Sequence, residues 1–244
     1  MQLLVLWLEN QSMLPLELIR DALSVFYPNL CAACDDLLVH GEETICTGCL
    51  ISLPRTNFHL HSENPVAKQF WGKVNLEAAT AYFSFLKGDK VQQLMHKLKY
   101  EARQDVGEKA GALCGGEIGD TPPFNSVDLI LPVPLHPKKL RIRGYNQAAC
   151  FGNGLATALN SPCSDRILRR VFHTQTQTRK SRFARYENMK EVFEVASPEQ
   201  IIGRHILLVD DVITTGSTLS ACATVLKAFE GVKVSIATMA FAEM

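Results

Sequence analysis

Apolar and polar residues follow one another along the chain in blocks that predict strands and helices in turn. Short apolar runs of strand length occupy residues 78–86, 128–133, 205–210 and 232–241. Apolar residues recur at helical spacing over 91–114, 144–159 and 217–229. Strands that are apolar throughout are typical of sheets covered on both faces, and strands that alternate with helices pair in parallel. The sequence therefore predicts an α/β domain in which helices flank a parallel sheet with right-handed crossovers.

The residues before the first strand predict a small separate domain. Residues 3–26 have the spacing of an amphipathic helix, and a polar stretch over 54–65 predicts a linker. We expect domains at 1–55 and 70–244. Within the second domain, the polar stretch 173–191 lacks an apolar stripe and predicts a mobile loop.

Composition narrows the class of protein. The 244 residues include 25 Lys+Arg and 25 Asp+Glu, so net charge gives no global support for binding to nucleic acid or to a membrane surface. Eight cysteines in a chain of this length indicate a reducing cytoplasm rather than a disulfide scaffold. The apolar run at 3–8 is shorter than the roughly 20 residues of a membrane span. No basic segment precedes it and no cleavage site follows, so the sequence predicts neither a transmembrane segment nor a signal peptide.

Two Cys-x-x-Cys pairs, Cys31 with Cys34 and Cys46 with Cys49, lie close together in the first domain. Each pair can chelate one metal ion from a tight turn, and the four thiolates complete the tetrahedral site that Zn²⁺ accepts. Four protein ligands leave no open position for a substrate, so the predicted zinc is structural. A redox-active dithiol and an iron–sulfur cluster are the alternatives for the same cysteines.

The apolar run at 205–210 ends in two adjacent acids, Asp210 and Asp211, and leads into a predicted helix. Between the acids and the helix lie the residues of an expected phosphate site: Thr214, Thr215, Gly216, Ser217 and Thr218. Ligands of parallel sheets sit where a strand gives way to a helix, and the amides at a helix start bind anions. Paired carboxylates beside such a site suit ribose hydroxyls or Mg²⁺. A phosphorylated ribose therefore fits both the acidic pair and the phosphate site.

Other interpretations of residues 210–218 explain less of the pattern. An acidic strand end before a Thr-capped helix explains one threonine but not the whole combination. The chain has no Gly-x-x-x-x-Gly-Lys-Ser/Thr and no Gly-x-Gly-x-x-Gly, which excludes a Walker A loop and a dinucleotide fingerprint.

The acidic loop resembles the signature of type I phosphoribosyltransferases, in which two acids bind the ribose hydroxyls and the Thr/Gly loop binds the 5′-phosphate. The four-cysteine cluster, the run His-Lys-Leu-Lys-Tyr at 96–100 and the run Leu-Pro-Val-Pro-Leu-His-Pro-Lys-Lys-Leu-Arg-Ile-Arg-Gly-Tyr-Asn-Gln at 131–147 precede it in order. This set resembles the ComF family of competence-associated, phosphoribosyltransferase-like proteins, of which the GntX proteins are relatives. The resemblance extends from about Tyr27 to the end of the chain.

The resemblance implies roles for two further groups of residues. The stretch from Pro134 to Arg143 would form the diphosphate side of the site, through Leu135, His136, Lys138, Lys139 and Arg143. The loop from Gln175 to Phe193 would close over the substrate, with Arg182 expected to act together with Asp210 and Asp211 in catalysis. Mg²⁺ would accompany phosphoribosyl diphosphate as the second metal.

Three functions are compatible with these features. The resemblance implies a protein that binds phosphoribosyl diphosphate, of phosphoribosyltransferase type, with a role in DNA uptake and natural transformation. The sequence shows no acceptor pocket, so whether the chain is an enzyme stays open. The alternatives are a non-catalytic factor that handles single-stranded DNA or contacts a DNA-uptake helicase at the inner membrane, and a sensor that binds phosphoribosyl diphosphate without turnover.

Overall fold

The computed structural model describes residues 28–171 and 193–242, and the chain divides into two compact units, 1–52 and 53–244. The predicted helix at 3–26 and the predicted loop at 173–191 lie outside the described residues. The domain bounds 1–55 and 70–244 stay a prediction, because compactness alone does not show that each part folds independently. Among the described helices, none has the length and apolar character that crossing a bilayer requires.

Turns that carry the cysteines make up most of the described part of the first unit. Leu30 and Leu37 form an isolated antiparallel bridge around the turn that holds the first cysteine pair. Helix α1 spans Thr47–Ser52 and carries Cys49 on its buried side. The two cysteine pairs therefore lie on a bridged turn and on the start of a short helix.

The second unit contains a parallel sheet of four strands, as the sequence predicts. The strands are β1 (Ala79–Phe85), β2 (Leu129–Pro132), β5 (His205–Ile213) and β6 (Lys233–Ala242). They lie in the order β1-β6-β5-β2, and all three pairings are parallel. Central strand β5 is buried over its first five residues because it is covered on both faces. It extends three residues beyond the predicted end, so both acids belong to the strand.

The helices of the second unit differ from prediction at several places. The sequence pattern predicted no helix over Pro65–Lys68 or Pro137–Arg143, and the predicted helices have different bounds. Helices α2 to α7 span Pro65–Lys68, Lys90–Tyr100, Gln104–Ile118, Pro137–Arg143, Gln147–Leu159 and Ser217–Leu226. The single helix predicted over 91–114 is wrong, because the chain breaks between α3 and α4 where Ala102 adopts a left-handed φ of 55°. The helix predicted from 144 begins later, since the Asn146 side chain accepts a hydrogen bond from the Ala148 amide and caps α6.

The segment that the sequence predicts as a linker is folded against the sheet. The buried Asn64 side chain donates hydrogen bonds to the carbonyls of Phe58, His61 and Ala79, at 2.8 to 3.0 Å. Phe70 is 1% exposed and joins the core formed by β1, β2, β5, β6 and α7. This packing brings residues 64–70 alongside the strand edge and towards the start of α7.

Helices α4 and α6 cover the other face of the sheet and approach each other at glycines. A Cβ added at Gly111 would lie 2.1 Å from the Phe151 carbonyl oxygen, and one at Gly154 would lie 2.0 Å from the Glu108 carbonyl oxygen. Both obstacles are backbone atoms, which cannot rotate away. The two helices can therefore pack this closely only with glycine at these positions.

A short antiparallel pair completes the second unit. Strands β3 (Leu168–Arg170) and β4 (Phe193–Val195) pair with each other and are separate from the main sheet. Leu168 and Phe193 are buried in the same core as α7. The sequence pattern did not predict these strands because three residues are too few to show a period.

Candidate ligand and metal sites

The four cysteines of the first unit form a cluster with the spacing of a metal site. Their sulfur atoms all lie within 4.8 Å of one another, and Cys34 Sγ is 3.8 Å from Cys46 Sγ. A tetrahedron with Zn–S bonds of about 2.3 Å places its sulfurs about 3.8 Å apart. The structure thus brings together the four residues that the sequence predicts as ligands, in an arrangement that can hold a metal ion.

Backbone amides point at the sulfur atoms of this cluster. The amides of Ala33 and Cys46 donate to Cys31 Sγ at 3.4 and 3.2 Å, and the Cys49 amide donates to Cys46 Sγ at 3.4 Å. Burial raises the pKa of the Cys31 thiol, but backbone amides that include those of Cys46 and Ala33 outweigh it and lower that pKa to about 7. The pKa of the neighbouring Cys34 thiol is raised: the Asp36 amide lowers it, but burial and the side chains of Asp36, Cys49 and Cys31 outweigh that effect. The donor set therefore suits thiolate ligands and fits a tetrahedral Zn²⁺.

The two acids of β5 occupy the carboxyl end of the central strand. The Asp211 carboxylate pairs with Lys99 at the end of α3, with Nζ 2.9 Å from Oδ2 and both side chains about one-fifth exposed. Burial raises the pKa of Asp210 well above its usual range, and the neighbouring Asp211 raises it further. The strand end thus carries one ion-paired carboxylate beside one carboxyl that holds its proton more tightly than usual.

The Thr/Gly stretch turns between β5 and α7 and leaves a small cavity of about 50 Å³, which residues 212–219 line together with Asp210. Gly216 has a left-handed φ of 67° and caps α7, and a Cβ there would lie 3.0 Å from Gln69 Oε1 and 3.2 Å from the Phe70 ring. The Thr215 and Ser217 hydroxyls are 3.0 Å apart. The helix start, two exposed hydroxyls and the glycine turn suit a phosphate group.

The folded segment before β1 supports this turn. Gln69 Nε2 donates to the Thr214 carbonyl at 2.7 Å, and Phe70 packs beside Gly216. Sequence reasoning missed both residues, because they lie about 145 positions away from the loop in a stretch whose polar composition resembled a linker.

A second cavity of about 170 Å³ lies next to the acids. Its walls are formed by Lys99, Val133, Pro134, Leu135, Lys139, Arg143, Asn146, Gln147, Ala148, Arg170, Asp210, Asp211 and Thr218. Of the residues expected on the diphosphate side, Leu135, Lys139 and Arg143 line this cavity. The His136 side chain caps α5, because it accepts a hydrogen bond from the Lys138 amide at 3.1 Å. Neither His136 nor Lys138 is among the described residues that line the cavity. Arg182 lies outside the described residues.

Hydrogen bonds fix the basic wall to the rest of the unit. The Tyr145 hydroxyl donates to the Leu98 carbonyl, Asn146 Nδ2 donates to the Val133 carbonyl at 3.0 Å, and Arg143 Nη1 donates to Gln147 Oε1 at 2.7 Å. The turn that ends α5 is therefore joined to the last turn of α3, which also carries Lys99. The predicted motifs at 96–100 and 131–147 meet here.

Comparison with known proteins gives relatives over most of the chain. The phosphoribosyl transferase domain family matches residues 146–243. Competence protein F of Haemophilus influenzae is 29% identical over 83% of this chain and 92% of its own length. The DNA utilization protein YhgH of Escherichia coli K12 is 29% identical over 86% of this chain and 88% of its own length.

A solved structure of the allosteric regulatory enzyme of purine biosynthesis is also similar to this chain. It is 19% identical with a TM-score of 0.39, and the match covers 58% of this chain and 29% of that enzyme. The domain family match at residues 146–243 indicates a phosphoribosyl transferase domain in the C-terminal part of the chain. The relatives named competence protein F and DNA utilization protein YhgH confirm the predicted resemblance to the ComF family.

Proposed function

Because the C-terminal part of the chain is a phosphoribosyl transferase domain, we propose that this protein binds phosphoribosyl diphosphate at the carboxyl ends of β5 and β2. The observation that carries the proposal is the adjacency of two cavities that share Asp210 and Thr218. One cavity has the donors of a phosphate site, and the other has basic walls. Asp210 lies where the two cavities meet, and Asp211 lines the larger one.

Each part of this ligand has chemically matched residues. The 5′-phosphate accepts hydrogen bonds from the amides and hydroxyls of residues 214–218, at the positive end of α7. The ribose hydroxyls donate to Asp210 and Asp211. The diphosphate meets Lys139 and Arg143 across the larger cavity, where charge-assisted hydrogen bonds are strong.

Mg²⁺ fits the same site. It binds proteins through one or two carboxylates together with substrate phosphates, and Asp210 and Asp211 offer carboxylates beside the basic cavity. When bound, the ion would neutralise charge on the diphosphate. The residues of this chain hold the ribose and both phosphate ends around it.

Calorimetry with phosphoribosyl diphosphate and Mg²⁺ tests the proposal. The wild-type chain should bind, and the Asp210→Asn/Asp211→Asn variant should lose at least about 100-fold in affinity, because two charge-assisted contacts disappear. Asp120→Ala, an exposed acid at the end of α4, is the matched control and should bind like the wild type. Absence of binding to the wild type would refute the assignment.

Transfer is a separate claim from binding. In a transfer reaction the C1–O bond to diphosphate breaks, its electron pair leaves with the diphosphate, and the acceptor nucleophile bonds to C1 and loses its proton. Holding both ends of the ligand favours this cleavage by positioning and electrostatics. Release of inorganic diphosphate in the presence of candidate amines and nucleobases distinguishes an enzyme from a sensor, which binds without release.

For the first unit, we propose structural Zn²⁺ on Cys31, Cys34, Cys46 and Cys49. The 3.8 Å sulfur spacing and the amide donors support zinc over a redox dithiol, because a dithiol needs only two of the four thiols. Elemental analysis of protein purified without oxygen should give one zinc per chain. Iron with acid-labile sulfide would overturn the assignment in favour of a cluster.

A second candidate function is handling of single-stranded DNA in the cytoplasm during uptake, next to an inner-membrane helicase. The names of the relatives, competence protein F and DNA utilization protein YhgH, favour it, and so does an exposed surface beside the basic cavity. Tyr100 is 66% exposed, and the Arg143 guanidinium lies 5.7 Å from its ring centre. Such a pair suits base stacking. Binding to a fluorescent oligonucleotide that weakens steeply with salt and with Tyr100→Ala would support this function; salt-independent binding would not.

A further inference from the structure

Arg170 carries an unexplained donor beside the proposed diphosphate cavity. It is the last residue of β3, and it pairs directly with Phe193 of β4. Its guanidinium lies 5.4 Å from the centre of the Phe193 ring. This stacking and the strand pairing keep the guanidinium beside the cavity, so that a small movement is enough to reach it, whereas an arginine on a free loop would sample many rotamers.

The Arg170 Nε atom is buried and has no hydrogen-bond acceptor among the described residues. Leaving a charged donor without an acceptor is unfavourable, and native structures rarely contain one without a functional reason. Arg170 also lines the larger cavity, together with Lys139 and Arg143, and it is not among the residues that line the smaller phosphate cavity. Of the two cavities, the larger one is therefore the one in which a ligand would meet Arg170.

We propose that Arg170 is a binding residue for the diphosphate group of the ligand, an inference that rests on the proposed function. A small movement of the side chain into the cavity gives Nε and a terminal nitrogen two phosphate oxygens, in the bidentate geometry that arginine favours. Arg170 then joins Lys139 and Arg143 around the diphosphate, and none of these three residues lines the phosphate cavity. The contribution of Arg170 to affinity is accordingly specific for ligands that carry diphosphate.

Calorimetry with two ligands tests this assignment. Arg170→Gln should weaken binding of phosphoribosyl diphosphate with Mg²⁺ by about 10- to 100-fold, the range expected for one charge-assisted contact. Binding of ribose 5-phosphate, which lacks the diphosphate, should change less than about 3-fold. Arg169→Gln is the matched control: Arg169 is the exposed neighbour on the same strand, and its Nε already donates to the Arg166 carbonyl at 3.2 Å.

Arg170→Lys provides a second variant in case the glutamine variant folds poorly. Lysine keeps the charge but lacks Nε and the planar stacking surface, so it should still weaken phosphoribosyl diphosphate at least about 5-fold. Wild-type affinity in the folded lysine variant would overturn the assignment, and so would equal loss of both ligands in either variant. If the wild-type protein binds neither ligand, the proposed function itself fails, which separates the two claims.

Discussion

Breaking the ion pair between Lys99 and Asp211 should destabilise the second unit by a measurable amount. The Nζ–Oδ2 distance is 2.9 Å, and the side chains are 21% and 17% exposed. Removing one partner from a fully buried pair costs about 3–5 kcal/mol, and an exposed pair contributes at most about 1 kcal/mol. This partly buried pair lies between those limits, so Lys99→Met should lower the free energy of unfolding by about 2 kcal/mol and the melting temperature by about 4–8 °C.

A double-mutant cycle isolates the pair from other effects of the substitution. Urea unfolding of the wild type, Lys99→Met, Asp211→Asn and the double variant should give a coupling free energy of about 1–2 kcal/mol. Lys138→Met is the control lysine because Lys138 is exposed on α5, and its cycle with Asp211→Asn should show no coupling. Mutations at independent sites add to within about 0.5 kcal/mol. A coupling free energy between Lys99 and Asp211 below that value would therefore refute the structural reasoning.

Three further outcomes follow from the fold and the sites. Asp210→Asn should stabilise the protein at pH 9 and leave its stability unchanged below pH 4. Burial raises the pKa of Asp210 in the folded protein above 3.8. The stability that comes from proton binding is therefore present at low pH and is lost as the pH rises through the raised pKa, and asparagine avoids this loss. Melting curves against pH test this, and a gain that is equal at both pH values would contradict it. Gly154→Ala should cost about 3 kcal/mol or more in urea unfolding, because its Cβ meets backbone at 2.0 Å; Gly116→Ala, with open space around its Cβ, should gain about 0.5–1 kcal/mol. Cys46→Ser should abolish stoichiometric zinc in elemental analysis, because a three-thiolate site loses affinity; retained zinc at one per chain would count against the four-cysteine site.

The sequence could predict those parts of the metal and ligand sites whose residues lie close together along the chain. The cysteine pairs and the stretch from Asp210 to Thr218 each occupy one short segment, so residue type and spacing suffice. The sheet was predictable for a related reason, because strands buried on both faces are apolar throughout. Residues that reach the site from distant segments, such as Lys99 and Gln69, give no local signal, since their partners are set by topology.

The break between α3 and α4 shows a second limit of sequence reasoning. Residues 101–103 are Glu-Ala-Arg, which are good helix formers, yet Ala102 takes a left-handed conformation that alanine rarely adopts. After the break, α4 packs its glycines against α6, and tertiary packing of this kind can outweigh local propensity. The same break leaves Lys99 in the last full turn of α3, within reach of Asp211.

If phosphoribosyl diphosphate binds as proposed, the raised pKa of Asp210 would make binding release a proton. A ribose hydroxyl donates best to an ionised carboxylate, so binding favours the form of Asp210 that the unliganded protein holds least readily near neutral pH. The released proton is taken up by the solvent, and the heat of binding will therefore vary with the ionisation enthalpy of the buffer. The affinity for phosphoribosyl diphosphate should increase as the pH rises through the raised pKa of Asp210. A carboxyl at Asp210 that holds its proton more tightly than usual would also reduce the repulsion between the strand end and the proposed phosphate ester.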